Sequence, residues 1–523
     1  MKIIKLIYNE IYKQVKKISF LIFFILIIIF TFTFSLINKF LGNTDTFFMN
    51  SEVDYYENYV YNKDAKDYDG LLVNELATIS IENMKYSVDK KISYDDFRAL
   101  LITEITNYKH HIAIINRLIN GEEYTKISKS LKKADEELYI FYLDVSQYSN
   151  MSKEELEKEK KDLETRITDC TKVIEENDYS WYIKEELKLF KEEQKELNPK
   201  DLVEKEILEG KIKLYEYYVS KDIKDQKDLR IVTGFNIMDN YQYLNEEKYT
   251  ELDYNSMNLK ISYKDYEKLY DDKMIYLRDQ IKMDWYSIEN NENYNNTDAK
   301  KTFNSYVSNI MPFLGLVIVV IAGGIVANEF QKGTIRLLLV RPNKRWKILL
   351  SKFLAVIIIT IFLVISATLV AFIINGILYG FDGYFISSLK VVDGKVKEVS
   401  FILLALKNIG LLLIPVLFAG LGAFTLSTIT NNTAVSVGLG IFILVGGSLA
   451  LMILTLIKVP LLDYTFLPYL DYNIFLNAFD LELNNQSYQL MLTLPKANIV
   501  LASWSVVFYT VSHLIFIKKD IKN

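Results

Sequence analysis

Residues 328–352 read NEFQKGTIRLLLVRPNKRWKILLSK and hold the densest set of interacting side chains in the chain. A single acid, Glu329, precedes the step Gly333-Thr334. Arg336, Arg341 and Arg345 then flank the leucines at 337, 338 and 339 and the break at Pro342. The stretch pairs an apolar run with flanking guanidinium groups. It suits docking: Ile335 and the three leucines can anchor in a groove on a partner while the guanidinium groups pair with carboxylates at its rim. Gly333 can end one helix or start the next, and Pro342 forces a break before the following one.

Composition narrows the remaining chemistry. The 523 residues contain one cysteine, Cys170, and three histidines, His110, His111 and His513. A disulfide framework within one chain is therefore impossible, and no spacing of Cys and His marks a metal centre. No Gly-x-x-x-x-Gly-Lys-Ser/Thr stretch occurs, so the chain offers no phosphate cradle of that kind. A net charge of −5 argues against nucleic acid as a partner. The reading is of a chain without a cofactor, and not of an enzyme.

The elements that would position the docking stretch come from hydropathy. Six segments are long and apolar enough to cross about 30 Å of hydrocarbon, at roughly 20–38, 306–327, 353–379, 408–429, 433–457 and 498–517. Helices are the expected form, because lipid satisfies no backbone polar group. Pro312 and Pro415 fall in or near two of the spans. Lysines and arginines cluster before the first span, between the second and third, and after the last, so all three clusters face one side, taken as the cytoplasm. The first apolar run exceeds a signal-peptide core and Asn38-Lys39-Phe40 offers no small-residue cleavage site, so a retained anchor is expected.

These divisions give an all-α membrane protein: an amphipathic helix at 1–18, a first transmembrane helix at 19–41, an extracellular domain at 42–304 and a five-helix transmembrane domain at 305–523. Ile3, Ile4, Ile7, Ile11, Val15 and Ile18 share one face of the first helix and suit it to the inner membrane surface, within a cell-membrane, multi-pass chain whose termini are both cytoplasmic. In the insert 56 acidic side chains outnumber 39 basic ones, as an outside location favours. Leu156, Leu163, Ile167, Cys170 and Ile174 form a coiled-coil seam there, and a turn at Asn177–Ser180 closes a helical hairpin before Pro199. Tyrosines at 55, 56, 59, 61 and 68 form a packing or recognition surface. Residues 230–300, rich in Tyr, Asn and Asp, read as mixed helix and loop.

The stretch 328–352 resembles the loop between spans two and three of permeases in the ABC type-2 exporter family. Glu329, Gly333, Thr334, Leu337–Leu339, Pro342, Arg345 and Lys352 follow that pattern in order, while Gln331 and Lys332 stand where a second acid is frequent. Residues 425–440, TLSTITNNTAVSVGLG, resemble a polar turn of the same family, with Gly438, Gly440, Gly446 and Gly447 suited to close helix packing. Residues 459–497 resemble its external helical hairpin. The resemblance implies the permease subunit of an ATP-driven exporter of an amphipathic, peptide or lipid-like substrate. Its coupling residues would be Glu329, Gly333, Thr334, Arg336, Leu338, Pro342 and Arg345. It further implies a separate ABC ATPase subunit and a second permease chain, like or unlike, packed in the lipid bilayer. The second reading is an ectodomain anchored by the spans that acts as a sensor or peptide-binding receptor.

Overall fold

The computed structural model describes residues 2–40, 70–93, 96–138, 143–197, 201–257, 259–294, 297–335 and 344–518. The five tyrosines at 55–68 lie outside the described residues, as do Arg336, Leu338 and Pro342. Helix dominates, six helices are long and apolar enough to span a membrane, and the chain divides into two compact units, Leu41–Phe235 and Met1–Phe40 with Asn236–Asn523.

In the unit Leu41–Phe235, local capping sets the helix boundaries. Ser152 and Glu155 form a reciprocal capping box at the start of the helix Lys153–Glu176. Asn177 ends it in the left-handed conformation, and the Asp178 carboxylate accepts from the Trp181 amide to begin Tyr179–Glu196. The expected turn is therefore present. The seam residues Leu156, Leu163, Cys170 and Ile174 are buried, whereas Ile167 is half-buried. Their main neighbour is the helix Phe97–Ile119, while Tyr179–Glu196 packs chiefly on Leu202–Ser220. Cys170 is a free thiol whose pKa burial pushes up to about 11. His110 Nε2 lies 3.0 Å from the Leu76 carbonyl and 3.1 Å from Ser80 Oγ, and His111 Nδ1 lies 2.9 Å from the Tyr148 hydroxyl. The adjacent histidines thus serve separate hydrogen-bonding positions.

The second unit holds the spans Ile18–Phe40, Asp298–Gln331, Arg345–Tyr379, Phe401–Thr430, Thr433–Leu456 and Leu494–Lys518. The second span is the most enclosed, and the first, fifth and sixth leave most of their apolar surface uncovered, as helices solvated by lipid do. Glycine lets the centre close up. A Cβ added at Gly420 would come within 2.6 Å of Ile318, at Gly440 within 2.6 Å of Val319, and at Gly323 within 2.9 Å of Val437. Of the four glycines singled out in the fifth span, Gly440 and Gly447 meet neighbouring segments; Gly438 faces open space and Gly446 meets Phe442 of its own helix.

Between the third and fourth spans the chain forms a β-hairpin, Ser388–Val392 with Lys395–Val399. Asp393 and Gly394, both at positive φ, make its two-residue turn. Lys300 fixes the approach to it by donating to the carbonyls of Tyr294, Ile386 and Ser387 at 2.5, 2.7 and 3.0 Å. Residues 459–497 differ from a helical hairpin. Their first arm consists of three 3-10 turns, Leu462–Tyr464, Leu467–Tyr469 and Asn473–Phe475, and the α-helix Ala478–Tyr488 follows. Pro460 and Pro468 deny that arm continuous amide donors. The 230–300 region contains a 28-residue helix, Tyr263–Asn290, beside two shorter ones, Leu229–Leu244 and Glu251–Ser256. Packed tyrosines such as Tyr254 on Tyr266, with ring centroids 4.6 Å apart, support the turn leading into the long helix.

Candidate functional site

The stem of the 328–352 stretch begins where the second span breaks. Helix Asp298–Ile325 is interrupted at Val326, and one further turn, Ala327–Gln331, carries Glu329. A continuous helix would join the Ala327 amide to the Gly323 carbonyl. Two serines of the 425–440 stretch take these groups instead. Ser427 Oγ accepts from the amides of Val326 and Ala327 at 3.2 and 2.9 Å, and Ser436 Oγ donates to Gly323 O at 2.6 Å. The two serines thus satisfy the Val326 and Ala327 amides and the Gly323 carbonyl in a buried setting, where an orphaned amide is costly.

Beyond the break, Gly333 adopts φ +68, the left-handed conformation that glycine enters without Cβ strain. Thr334 Oγ1 donates to the Glu329 carbonyl at 3.4 Å, and Ile335 is buried in the bundle core. Past the residues outside the description, Lys344 stands at the start of the helix Arg345–Tyr379 without a side-chain capping bond. Arg345 Nη1 donates to Ile517 O at 3.0 Å, at the carbonyl end of the sixth span, where a cation complements the helix dipole.

Glu329 does not stand free for a partner. It belongs to a closed ring of four charges. Lys352 Nζ lies 2.8 Å from Glu10 Oε2 and 2.8 Å from Glu329 Oε2; Lys13 Nζ lies 2.9 Å from Glu10 Oε1 and 3.2 Å from Glu329 Oε1. Each carboxylate oxygen therefore faces one ammonium, and the ring sums to zero. Lys352 is wholly buried and Glu10 nearly so, while Lys13 is 46% exposed. Burial opposes the charge on Glu10, but the Lys352 and Lys13 ammonium groups outweigh it and hold the carboxyl below the usual range. For Lys13, burial is likewise outweighed, by Glu10 and Glu329, and its pKa is raised. Lys17, depressed by burial and by Lys332 and Lys352, donates to Gln14 Oε1 at 2.6 Å.

The ring joins three separate parts of the chain: the N-terminal helix Lys2–Val15, the end of the second span and the start of the third. The N-terminal helix docks by a mixed face, with Glu10 and Gln14 buried and Ile3, Leu6, Ile7 and Ile11 half-buried, and leaves Ile4, Tyr8, Tyr12 and Val15 exposed. A polar cavity of about 590 Å³, lined by Asn9, Gln14, Asn328 and Thr334 among others, lies beside the ring. The N-terminal helix, the 328–352 stem and the end of the sixth span consequently meet at one end of the bundle.

Of the seven residues singled out from the sequence, Glu329, Gly333, Thr334 and Arg345 are described, and the first three occupy one stem. Sequence reasoning missed Glu10, Ser427 and Ser436. Glu10 had a signal: it is the only acid among the first 44 residues, set among lysines on a helix beside the membrane. A lysine one position before a long uncharged run, Lys352, calls for such a partner.

Residues 273–522 match the family described as "Protein of unknown function (DUF2705)". The chain is 30% identical over 253 residues to "Uncharacterized protein YhcI" of Bacillus subtilis (strain 168), an alignment spanning 47% of this chain and 77% of that protein. It is 29% identical over 154 residues to "Uncharacterized membrane protein YdbK" of the same organism, covering 29% of this chain and 58% of the relative.

Proposed function

From the premise that the chain belongs to the family of Bacillus subtilis YhcI, we propose that it is the membrane-spanning permease subunit of an ATP-driven ABC exporter. A separate subunit supplies ATP hydrolysis, and a second permease chain completes the assembly. The cargo is amphipathic, peptide or lipid-like. The N- and C-termini lie in the cytoplasm and residues 42–304 outside.

The observation that carries this reading is the stem of the 328–352 stretch. A connector driven by a partner must transmit force without bending, and it must join more than one helix. The serine-capped break at Val326 sets the stem off from the second span as a separate turn, and the charge ring ties it to the N-terminal helix and the third span. Displacement of the stem then moves three elements together. The leucines and arginines beyond it remain the docking surface for the ATPase.

Affinity purification of the chain from its native host in gentle detergent tests the proposal. The expected result is recovery of a subunit bearing a Gly-x-x-x-x-Gly-Lys-Ser/Thr loop, with ATPase activity, and loss of that subunit on charge reversal at Arg336 and Arg345. Recovery of no ATPase would overturn the exporter reading. An intact complex in the double reversal would remove the role of the arginines alone.

A further inference from the structure

The second and fourth spans each contain a proline, and both prolines face one space. Pro312, Gly315, Leu412, Pro415 and Leu451 line a cavity of about 380 Å³ at the end of the bundle away from the charge ring. That volume lies at the lower end of the roughly 300–1,000 Å³ of ligand pockets. Its floor is apolar and its roof is the stretch Leu467–Asn473.

The roof is polar for a reason found in the floor. Pro312 has no amide hydrogen, so the Ser308 carbonyl lacks its intrahelical donor. Asn473 Nδ2 donates to that carbonyl at 3.4 Å. This bond fixes the side-chain amide and leaves Asn473 Oδ1 buried without a donor. Asp471, which accepts from the Asn473 backbone amide at 2.9 Å, is among the described residues the single charged side chain lining the space. The cavity therefore presents an apolar body and, at its roof, one negative charge.

We propose that this cavity binds an amphiphile with an ammonium head, its alkyl chain among the prolines and leucines and its N–H groups pairing with the Asp471 carboxylate at the roof. The same head chemistry occurs in free alkylamines and in amino phospholipids. As a cargo site the cavity rests on the transport reading. Binding itself is measured without any ATPase subunit, so the two fail separately.

The test uses the full chain in phosphatidylcholine nanodiscs with radiolabelled dodecylamine, and dodecanoate and dodecanol as controls. The expected result is saturable amine binding at least tenfold tighter than dodecanoate. Gly315→Leu, which fills the space, is expected to weaken it at least tenfold, and Asp471→Asn to abolish the preference for amine over dodecanol. Asp471 is exposed, so D471N retains the fold and carries the test if G315L does not assemble. Competition by phosphatidylethanolamine added to the disc supports a lipid occupant; its failure to compete, with amine binding intact, supports a free amphiphile. Equal binding of amine and dodecanoate, or amine binding unchanged in D471N, would overturn the proposal.

Discussion

Lys352 and Lys13 touch the same two carboxylates, yet their removal is expected to have unequal consequences. At an effective dielectric of about 20, two unit charges about 4 Å apart attract by roughly 4 kcal/mol. Lys352 makes two such contacts with no exposure to water, and replacing it with methionine strands Glu10 and Glu329 beside a single partner. Breaking a buried pair in this way costs about 3–5 kcal/mol, after the relief of desolvating the lysine is counted. Lys13 is nearly half exposed, so water compensates its loss and Lys13→Met is expected to cost under about 1 kcal/mol. The triple variant Glu10→Gln, Lys352→Met, Glu329→Gln removes both stranded carboxylates, leaves Lys13, which reaches water, as the remaining charge, and is expected to recover most of the K352M loss. Reversible unfolding in mixed micelles reads all three. Acid sharpens the test: Glu10, with its folded pKa depressed, contributes stability present above about pH 4.3 and lost as pH falls through its lower folded value. Equal costs for K352M and K13M, or a triple variant no better than K352M, would refute the ring as the tie between the three helices.

Three further expectations use the same unfolding assay. Ser427→Ala leaves two buried amides at the helix break unpaired and is expected to cost about 1–3 kcal/mol; a neutral result would mean the break closes on itself. Gly420→Ala, whose Cβ would stand 2.6 Å from Ile318, is expected to destabilise by about 1–3 kcal/mol, while Gly438→Ala, in open space, is expected to be neutral. Burial pushes the Asp284 carboxyl up to about 7, so the folded state holds a proton that the unfolded state releases above about pH 3.9. Stability therefore falls as pH rises between these values, and Asp284→Asn is expected to stabilise at pH 8 but not at pH 4. Equal effects at the two pH values would place the cause elsewhere.

Hydropathy alone located all six spans, because an uninterrupted apolar run in lipid has one way to satisfy its backbone. Less legible was what each face meets. The apolar stripe of residues 3–18 was plain from its spacing, but period does not say whether lipid or protein covers it: Ile3, Ile7 and Ile11 are half-buried beside Glu10 and Gln14, while Ile4, Val15 and Ile18 stay exposed. The seam at Leu156–Ile174 likewise marked a buried face without naming its partner, Phe97–Ile119. The hairpin at 388–399 was passed over although Asp393-Gly394 between alternating side chains is a strong turn signal. At the candidate site, Glu329 and Lys352 stood out by their order in the chain. Their closure through Glu10 depended on a contact across more than 300 residues, which no local pattern encodes.

The charge ring has an electrical consequence. A transmembrane voltage does work on net charge, about 2.3 kcal/mol for each elementary charge carried across 100 mV. Two lysines and two glutamates moving as a closed set carry none, so the ring itself adds nothing to the charge that the three helix ends move along the membrane normal. Opening the ring would change that: Lys13 parting from its carboxylates displaces charge, and any such step would acquire a voltage dependence that the intact ring does not contribute.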